Sequence, residues 1–301
     1  MNQRKIRIIY VFSFIDRSIL NEAIALHLSQ VSDFDPAFIL LDHQPGAFAD
    51  FLKEHKLRHW NIKVSGKLSL LNAFFKILRI LIAEKPQVIN VNLLESTVTA
   101  LPAAWLSGIP VRILTRHYGT LHHDYNPHFV KLDRMFNRMA THILAPSEII
   151  SKILREREQA DPKKITVIPH GLPLDDFATV PSEKVERLRS KYLQGRTPYP
   201  VIGVISRFVH WKGIQYIIPA FARLLNEYPD AHLLLANAKG NYQKELMELL
   251  NRLPSSSYTL IEFEKDSASL YRLMDVFVHV PVNEHSEAYG QVYIESMASG
   301  I

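Results

Sequence analysis

At 301 residues, with 47% apolar and 22% charged side chains, the chain has material for two hydrophobic cores and the composition of an ordinary globular protein. Its net charge of +5 is scattered, with no Lys/Arg run of the kind that forms a nucleic-acid arm, so nucleic acid is not an expected partner. The lack of cysteine excludes a disulfide scaffold and any thiolate metal site, and suits a reducing, cytoplasmic compartment.

The N-terminus places Arg4, Lys5 and Arg7 before the apolar run Ile8–Ile15, but the run is short and Asp16 and Arg17 end it, so it reads as a buried first strand and not as a leader. Strands are expected at Ile6–Ser13, Ala37–Leu41, Val88–Asn92, Val111–Thr115, His142–Ala145 and Ile165–Ile168. Helical patterns fall between them at Ser18–Gln30, Leu68–Glu84, Ser96–Ser107, Pro127–Met139 and Ser147–Arg157, the last with Ser147 as N-cap. Leu68–Ala83 contains Lys76 and Arg79 and is too short to span a bilayer. A polar, Pro-rich stretch from Pro169 to Pro200, with a helical piece near Glu183–Tyr192, reads as a connection between domains.

The alternation then restarts: strand Val201–Ser206, helix Ile214–Glu227, strand His232–Ala236, helix Gln243–Arg252, strand Tyr258–Phe263, short helix Ser267–Leu273, strand Val276–Val280, and a helix opening at Gly290 and running to Ser299. Strands alternating with helices give parallel, doubly wound sheets, here in two Rossmann-like α/β domains, 1–171 and 172–301, expected to face each other across a cleft. The chain stops at Gly300-Ile301, on what looks like the outgoing turn of a crossover, so the second domain is expected to be incomplete at its C-terminus.

The densest chemistry lies in V-P-V-N-E-H-S-E-A-Y-G-Q-V-Y-I-E-S-M-A-S-G, residues 280–300. A helix opening at Gly290 would turn the amides of Ala288, Tyr289 and Gly290 toward an anion at its positive end. Glu287 precedes that site, and Glu295 follows it by about 8 Å along the helix, so the two carboxylates would flank a phosphate and accept from sugar or ribose hydroxyls. In G-V-I-S-R-F-V-H-W-K-G, residues 203–213, Arg207 and Lys212 follow a strand and precede a helix, placed to neutralise a diphosphate without a metal. The ordinary alternatives are a solvated helix start with two incidental acids, and two surface cations on a loop.

Together these segments resemble glycosyltransferase family 4, whose signatures there are a Gly-Arg…Lys-Gly loop and Glu-x7-Glu leading into a small-residue helix. The resemblance continues upstream in E-K-P-Q-V-I-N-V-N (84–92), I-L-T-R-H-Y-G (113–119) and V-I-P-H-G-L-P-L-D-D-F (167–177). It implies a GT-B fold and transfer of a sugar from a nucleoside-diphosphate donor with retention of configuration and no cofactor or catalytic metal. The acceptor would be a glycan, lipid or small molecule. By the same resemblance Arg207 and Lys212 would stabilise the leaving diphosphate, Glu287 would position the donor sugar, Glu295 would hold the ribose and His117 would touch the sugar. Departures are Ser206 for the usual Gly, His170 for the usual Asn, and a first turn, F-S-F-I-D-R-S-I-L-N, that lacks a Gly-Gly pair. The rival readings are another GT-B enzyme such as a nucleotide-sugar epimerase, and a non-catalytic nucleotide-sugar-binding protein.

Three lesser features have plainer explanations. His122, His123, Asp124 and His128 have the spacing of no closed metal site. Asp33-Phe34-Asp35, before Pro36, reads as a turn. The basic helix Lys67–Lys85 reads mainly as a core helix, with Lys67, Lys76 and Arg79 offering peripheral contact at the inner face of a membrane.

Overall fold

The computed structural model describes residues 5–15 and 19–301. Arg4, and Asp16 to Ser18 at the first strand–helix turn, lie outside the described residues. The chain divides into two compact units, Met1–Gly171 and Leu172–Ile301.

The first unit runs β1 (Ile6–Ser13), α1 (Ile19–Gln30), β2 (Phe34–Asp42), α2 (Ala47–Glu54), β3 (Arg58–Lys63), α3 (Lys67–Glu84), β4 (Val88–Asn92), α4 (Leu94–Leu106), β5 (Val111–Thr115), α5 (Leu121–Tyr125), α6 (Phe129–Met139), β6 (His142–Ala145), α7 (Glu148–Glu156) and β7 (Ile165–Val167). Its seven strands lie in the order β3-β2-β1-β4-β5-β6-β7, all pairs parallel. Ile9, Val11, Ile39, Leu41, Ile89 and Val91 are fully buried, as strands covered on both faces require. The order reverses between β1 and β4, and ligands of open α/β sheets bind beyond the strand ends at such a point.

The second unit contains α8 (Asp175–Ala178), α9 (Ser182–Leu193), β8 (Val201–Ile205), α10 (Ile214–Glu227), β9 (His232–Ala236), α11 (Gln243–Leu250), β10 (Tyr258–Ile261), α12 (Ser267–Tyr271), β11 (Val276–Phe277) and α13 (Gln291–Ala298). The sheet order is β10-β9-β8-β11, again parallel. Alternate residues of β8 and β9 feed two cores. Val204, Leu233 and Leu235 pack with Ile217, Phe221 and Leu246 on one face, and Val201, Ile205 and Leu234 pack with Leu188, Leu193, Leu270 and Tyr271 on the other. Each such side chain contributes roughly 1.5–3 kcal/mol of burial.

Several sequence expectations need correction. Residues 47–54 and 58–63 form a helix and a strand that the sequence reading passed over. The stretch from Pro169 to Pro200 is no mere connection, because Leu188 and Leu193 of α9 seal one face of the second sheet. Strand pairing of β11 ends at Phe277, not Val280, with Val278 N adding one bond to Gly203 O. Asp33-Phe34-Asp35 is a turn only at Asp33: Phe34 and Asp35 belong to β2. There Asp35 accepts from Arg7 and Arg58, which also bind Glu84 at the end of α3. Pro36 is tolerated because β3 joins only from Ala37 onward, leaving the strand one neighbour at that point.

His232 of β9 is buried beside Arg196, and both effects hold its pKa down, to about 4. An unfolded chain takes up that proton near pH 6.5. The stabilisation is therefore complete above pH 6.5 and disappears as pH falls toward 4. Urea midpoints should drop between pH 7.5 and pH 4.5, and His232→Gln should flatten that dependence for the second unit; an unchanged slope would remove His232 as a cause.

Candidate active site

In the second unit the strand order reverses between β8 and β11, and the loops that follow these two strands hold Arg207, Lys212 and Glu287, with Glu295 in the helix after the second loop. After β8, Arg207 is exposed while Phe208 is fully buried, and His210–Lys212 form a single 3-10 turn that ends at Gly213. Gly213 has φ +73°, and a Cβ there would lie 1.7 Å from Val280 O, so the loop must be glycine at that point. Val282 N donates to Trp211 O at 3.1 Å, which binds the Arg207–Gly213 loop to the segment after β11. On its other side Phe208 N donates to Lys239 O, and Tyr242 N to Phe208 O.

This arrangement brings Lys212 and Glu287 together. Lys212 Nζ donates to Glu287 Oε2, with both side chains mostly buried. The same oxygen accepts from His279 Nε2 at 2.9 Å. Burial pushes the Glu287 carboxyl up, but the hydrogen bond from His279 and the Lys212 charge outweigh it and bring it down to about 2. His279 is a site residue that sequence reading missed: in V-F-V-H-V it looks like one more strand position, and only the early end of β11 turns its ring onto Glu287.

Gly290, at φ +72°, caps α13, where a Cβ would come within 2.5 Å of the Tyr293 ring. Ala288 and Tyr289 precede it at the positive end of that helix, each already engaged in a contact of its own. Glu295, one turn further, accepts from the hydroxyl of Tyr271, itself fully buried. Burial raises the Glu295 carboxyl above its ordinary value despite that bond and one from Gln291. Glu287 and Glu295 therefore differ in character: the first is clamped by Lys212 and His279, the second accepts from a phenol with no cation beside it among the described residues.

In the first unit His117 follows β5, close to the end of β4. Asn92 turns its amide nitrogen toward Asn90 Oδ1 at 3.3 Å, so its carbonyl oxygen faces His117 Nε2 at 3.0 Å, and Nε2 carries the proton. The ring stacks on His170 with centroids 5.4 Å apart. Burial first, and the His170 imidazole second, lower the His117 pKa to about 4, so it is neutral at pH 7. His170, noted from sequence only as a departure, thus belongs to this cluster.

In the His122–His128 group three of the four side chains have ordinary partners, and only His123 has both ring nitrogens buried without one. His122 Nδ1 binds the Asp133 carboxylate at 2.7 Å, Asp124 accepts from Thr120, and His128 packs on Phe129. Among the described residues no three His, Asp or Glu side chains are grouped to hold a metal ion. Behind them lies a buried ionic cluster in which Arg116 pairs with Glu158 and Asp133 and stacks on Tyr118.

Two family models match the chain: Glycosyltransferase Family 4 over residues 32–176 and Glycosyl transferases group 1 over residues 188–301. The chain belongs to glycosyltransferase family 4. The chain is 30% identical over 199 residues to alpha-monoglucosyldiacylglycerol synthase of Streptococcus pneumoniae, covering 61% of this chain and 44% of that one. It is 26% identical over 244 residues to the capsular polysaccharide biosynthesis glycosyltransferase CapM of Staphylococcus aureus, covering 76% and 60%. The chain thus spans about half the length of the curated relatives it matches. Its fold is that of Anabaena Alr3699/HepE, solved in complex with UDP and glucose, with a TM-score of 0.80 at 20% identity over 98% of this chain and 79% of that one. The two parallel-sheet units are GT-B architecture.

Proposed function

We propose that this family-4 glycosyltransferase moves a sugar from a nucleoside-diphosphate donor to a glycan or lipid-linked acceptor with retention of configuration. The observation that supports this best is the Lys212–Glu287–His279 constellation at the switch point of the second sheet, with Arg207 on the same loop as Lys212. As the sugar bond breaks, charge builds on the diphosphate. Arg207, Lys212 and the amides leading into α13, those of Ala288, Tyr289 and Gly290, would stabilise it. Glu287 would orient the donor sugar, Glu295 would accept from the ribose diol, and His117, held neutral, would contact the sugar by hydrogen bonding and not by proton transfer. With positioning and leaving-group stabilisation doing the chemistry, no side-chain nucleophile is required.

The HepE structure was solved with UDP, so UDP-sugars are the first probes to try. The complete protein should release UDP from at least one of UDP-glucose, UDP-galactose and UDP-N-acetylglucosamine, and product NMR should show the anomeric configuration unchanged. A 2-epimerised sugar nucleotide would favour the epimerase reading, and binding without turnover the non-catalytic one. Because two cations already serve the diphosphate, activity should survive EDTA. Full loss restored by manganese would overturn the metal-free assignment.

We also propose peripheral contact with the cytoplasmic face of an anionic membrane through α3. Leu68, Leu71, Phe75 and Ile82 are exposed along this helix with Lys76 and Arg79, while Glu84 is tied to Arg7 and Arg58. The side chain of Lys67 lies outside the described residues. No helix is long and apolar enough to cross a membrane among those described. The protein should sediment with phosphatidylglycerol vesicles and not with phosphatidylcholine vesicles, and Lys76→Glu/Arg79→Glu should abolish it. Equal binding to both lipids would count against the charge-led contact.

A further inference from the structure

The active site contains a conflict. Lys212 is assigned to the diphosphate, yet in this structure its ammonium is bonded to Glu287. A single ammonium cannot give both partners its full strength, and the diphosphate is the more highly charged. A mostly buried carboxylate that lost its only cation would be left without compensation and would turn away or take up a proton.

His279 resolves this. Its side chain is 1% exposed, and its Nε2 is 2.9 Å from the oxygen that Lys212 also binds. A carboxylate oxygen only accepts, so Nε2 carries the proton and is the donor. The other ring nitrogen, Nδ1, is buried with no hydrogen-bond partner among the described residues, so the one polar contact of this imidazole with them is with Glu287. The ring is also fixed in place. Tyr293 meets it edge-on at 5.0 Å, and the Tyr293 hydroxyl donates to the His279 carbonyl at 2.9 Å. Phe277 stacks on it at 6.4 Å. Gly290 makes room for Tyr293, since any Cβ there would strike that ring. The series His279, Glu287, Gly290, Tyr293 is therefore one packed unit. A buried polar side chain whose single bond goes to a site carboxylate, and whose position is set from two sides, is built to orient that carboxylate.

We propose that His279 is a positioning residue that anchors Glu287 Oε2 independently of Lys212, so that Lys212 can pass to the donor diphosphate while Glu287 keeps its place with Oε1 turned to the sugar. Lys212 and His279 thus have separable duties toward the same oxygen: Lys212 is the mobile partner and His279 the fixed one. This rests on the reading of Glu287 as a donor-sugar residue.

The test uses the full-length protein as wild type, His279→Phe and His279→Gln, with UDP release measured from UDP-glucose, UDP-galactose and UDP-N-acetylglucosamine. His279→Phe keeps the shape but not the donor; it should leave UDP affinity unchanged while lowering kcat about tenfold, the scale of one hydrogen bond to a charged group. The acid limb of its pH profile should move upward, because the carboxylate has lost a donor that favours its ionised form. His279→Gln, whose Nε2 can reach the same oxygen, should restore most of the rate. Equal losses of kcat in the two variants, with the acid limb of the pH profile unmoved, would show a purely structural role and overturn the proposal. Should His279→Phe misfold, His279→Leu takes its place.

A second readout needs no turnover. The Glu287 carboxyl carbon, followed by NMR, should still titrate below the ordinary glutamate range in Lys212→Met and return to that range or above it in Lys212→Met/His279→Phe. If adding His279→Phe leaves the Lys212→Met titration unchanged, the anchoring role is wrong whatever the activity. If the titrations behave as expected but the wild type turns over no UDP-sugar, the transfer reading fails and the anchoring of Glu287 stands.

Discussion

Lys212→Ala and Arg207→Ala should each lower kcat about a hundredfold in the complete enzyme, with a smaller effect on the donor KM. The diphosphate gains charge only as the sugar bond breaks, so a cation that meets it contributes most in the transition state, and its loss costs about 3 kcal/mol. Lys212→Ala should be the worse of the two, because it also strips Glu287 of its ion pair. Glu295→Ala should behave differently. Its proposed partner, the ribose, does not change charge during the reaction, so the loss should fall on donor KM. Glu287→Ala should show both effects. Measuring kcat and donor KM for the four variants decides the matter. A Glu295→Ala enzyme with reduced kcat and normal KM, beside an Arg207→Ala enzyme with the reverse, would make the assignment of roles wrong even though the family is right.

Arg116→Met should destabilise the first unit by about 3–5 kcal/mol, a large share of the stability of an ordinary domain. Arg116, Asp133 and Glu158 are all at most 2% exposed, and among the described residues the guanidinium is the one cation paired with both carboxylates. Burial already pushes the Glu158 carboxyl above its ordinary value, with Arg116 opposing it. Without Arg116 the folded pKa rises further above the unfolded one. The folded state then holds a proton that the unfolded state releases, so stability falls as pH climbs above about 4.5. The damage should be smaller at pH 5 than at pH 8 in urea unfolding followed by circular dichroism. A loss under about 1 kcal/mol, or one equal at both pH values, would mean that the cluster is hydrated or rearranges.

Much of this architecture could be read because parallel strands buried on both faces leave nearly continuous apolar runs. His232–Ala236 and Val88–Asn92 stand out for that reason, and their bounds agree with the structure. The edge strand Arg58–Lys63 does not, since only Ile62 of its six residues is buried and its charges resemble a loop. Asp35 was misread because a following proline usually signals a turn, and the missing third strand at that height could not be known from sequence. The buried ionic cluster was partly legible: Phe129, Asp133, Phe136 and Asn137 share one helical face, and two polar residues on an otherwise apolar stripe call for partners. Its other members, Arg116 and Glu158, are too far along the chain for any spacing rule. The site divides in the same way. Arg207, Lys212, Glu287 and Glu295 sit in motifs, whereas His279, Asn92 and Tyr271 act through contacts that only the fold creates.

The fit of Gly213 beneath the Val280 carbonyl, with Val282 bonded to Trp211, has a bearing on engineering. Loops in α/β enzymes are often exchanged singly to alter substrate choice, on the assumption that each is an independent module. Here residues 207–213 and 280–290 form a single mechanical part made from two stretches of sequence. A graft that brings in one stretch without the other would meet a carbonyl where it needs open space. Libraries aimed at new donors should therefore vary the two segments as a matched pair, and homologous donors for recombination should be cut so that both come from the same parent.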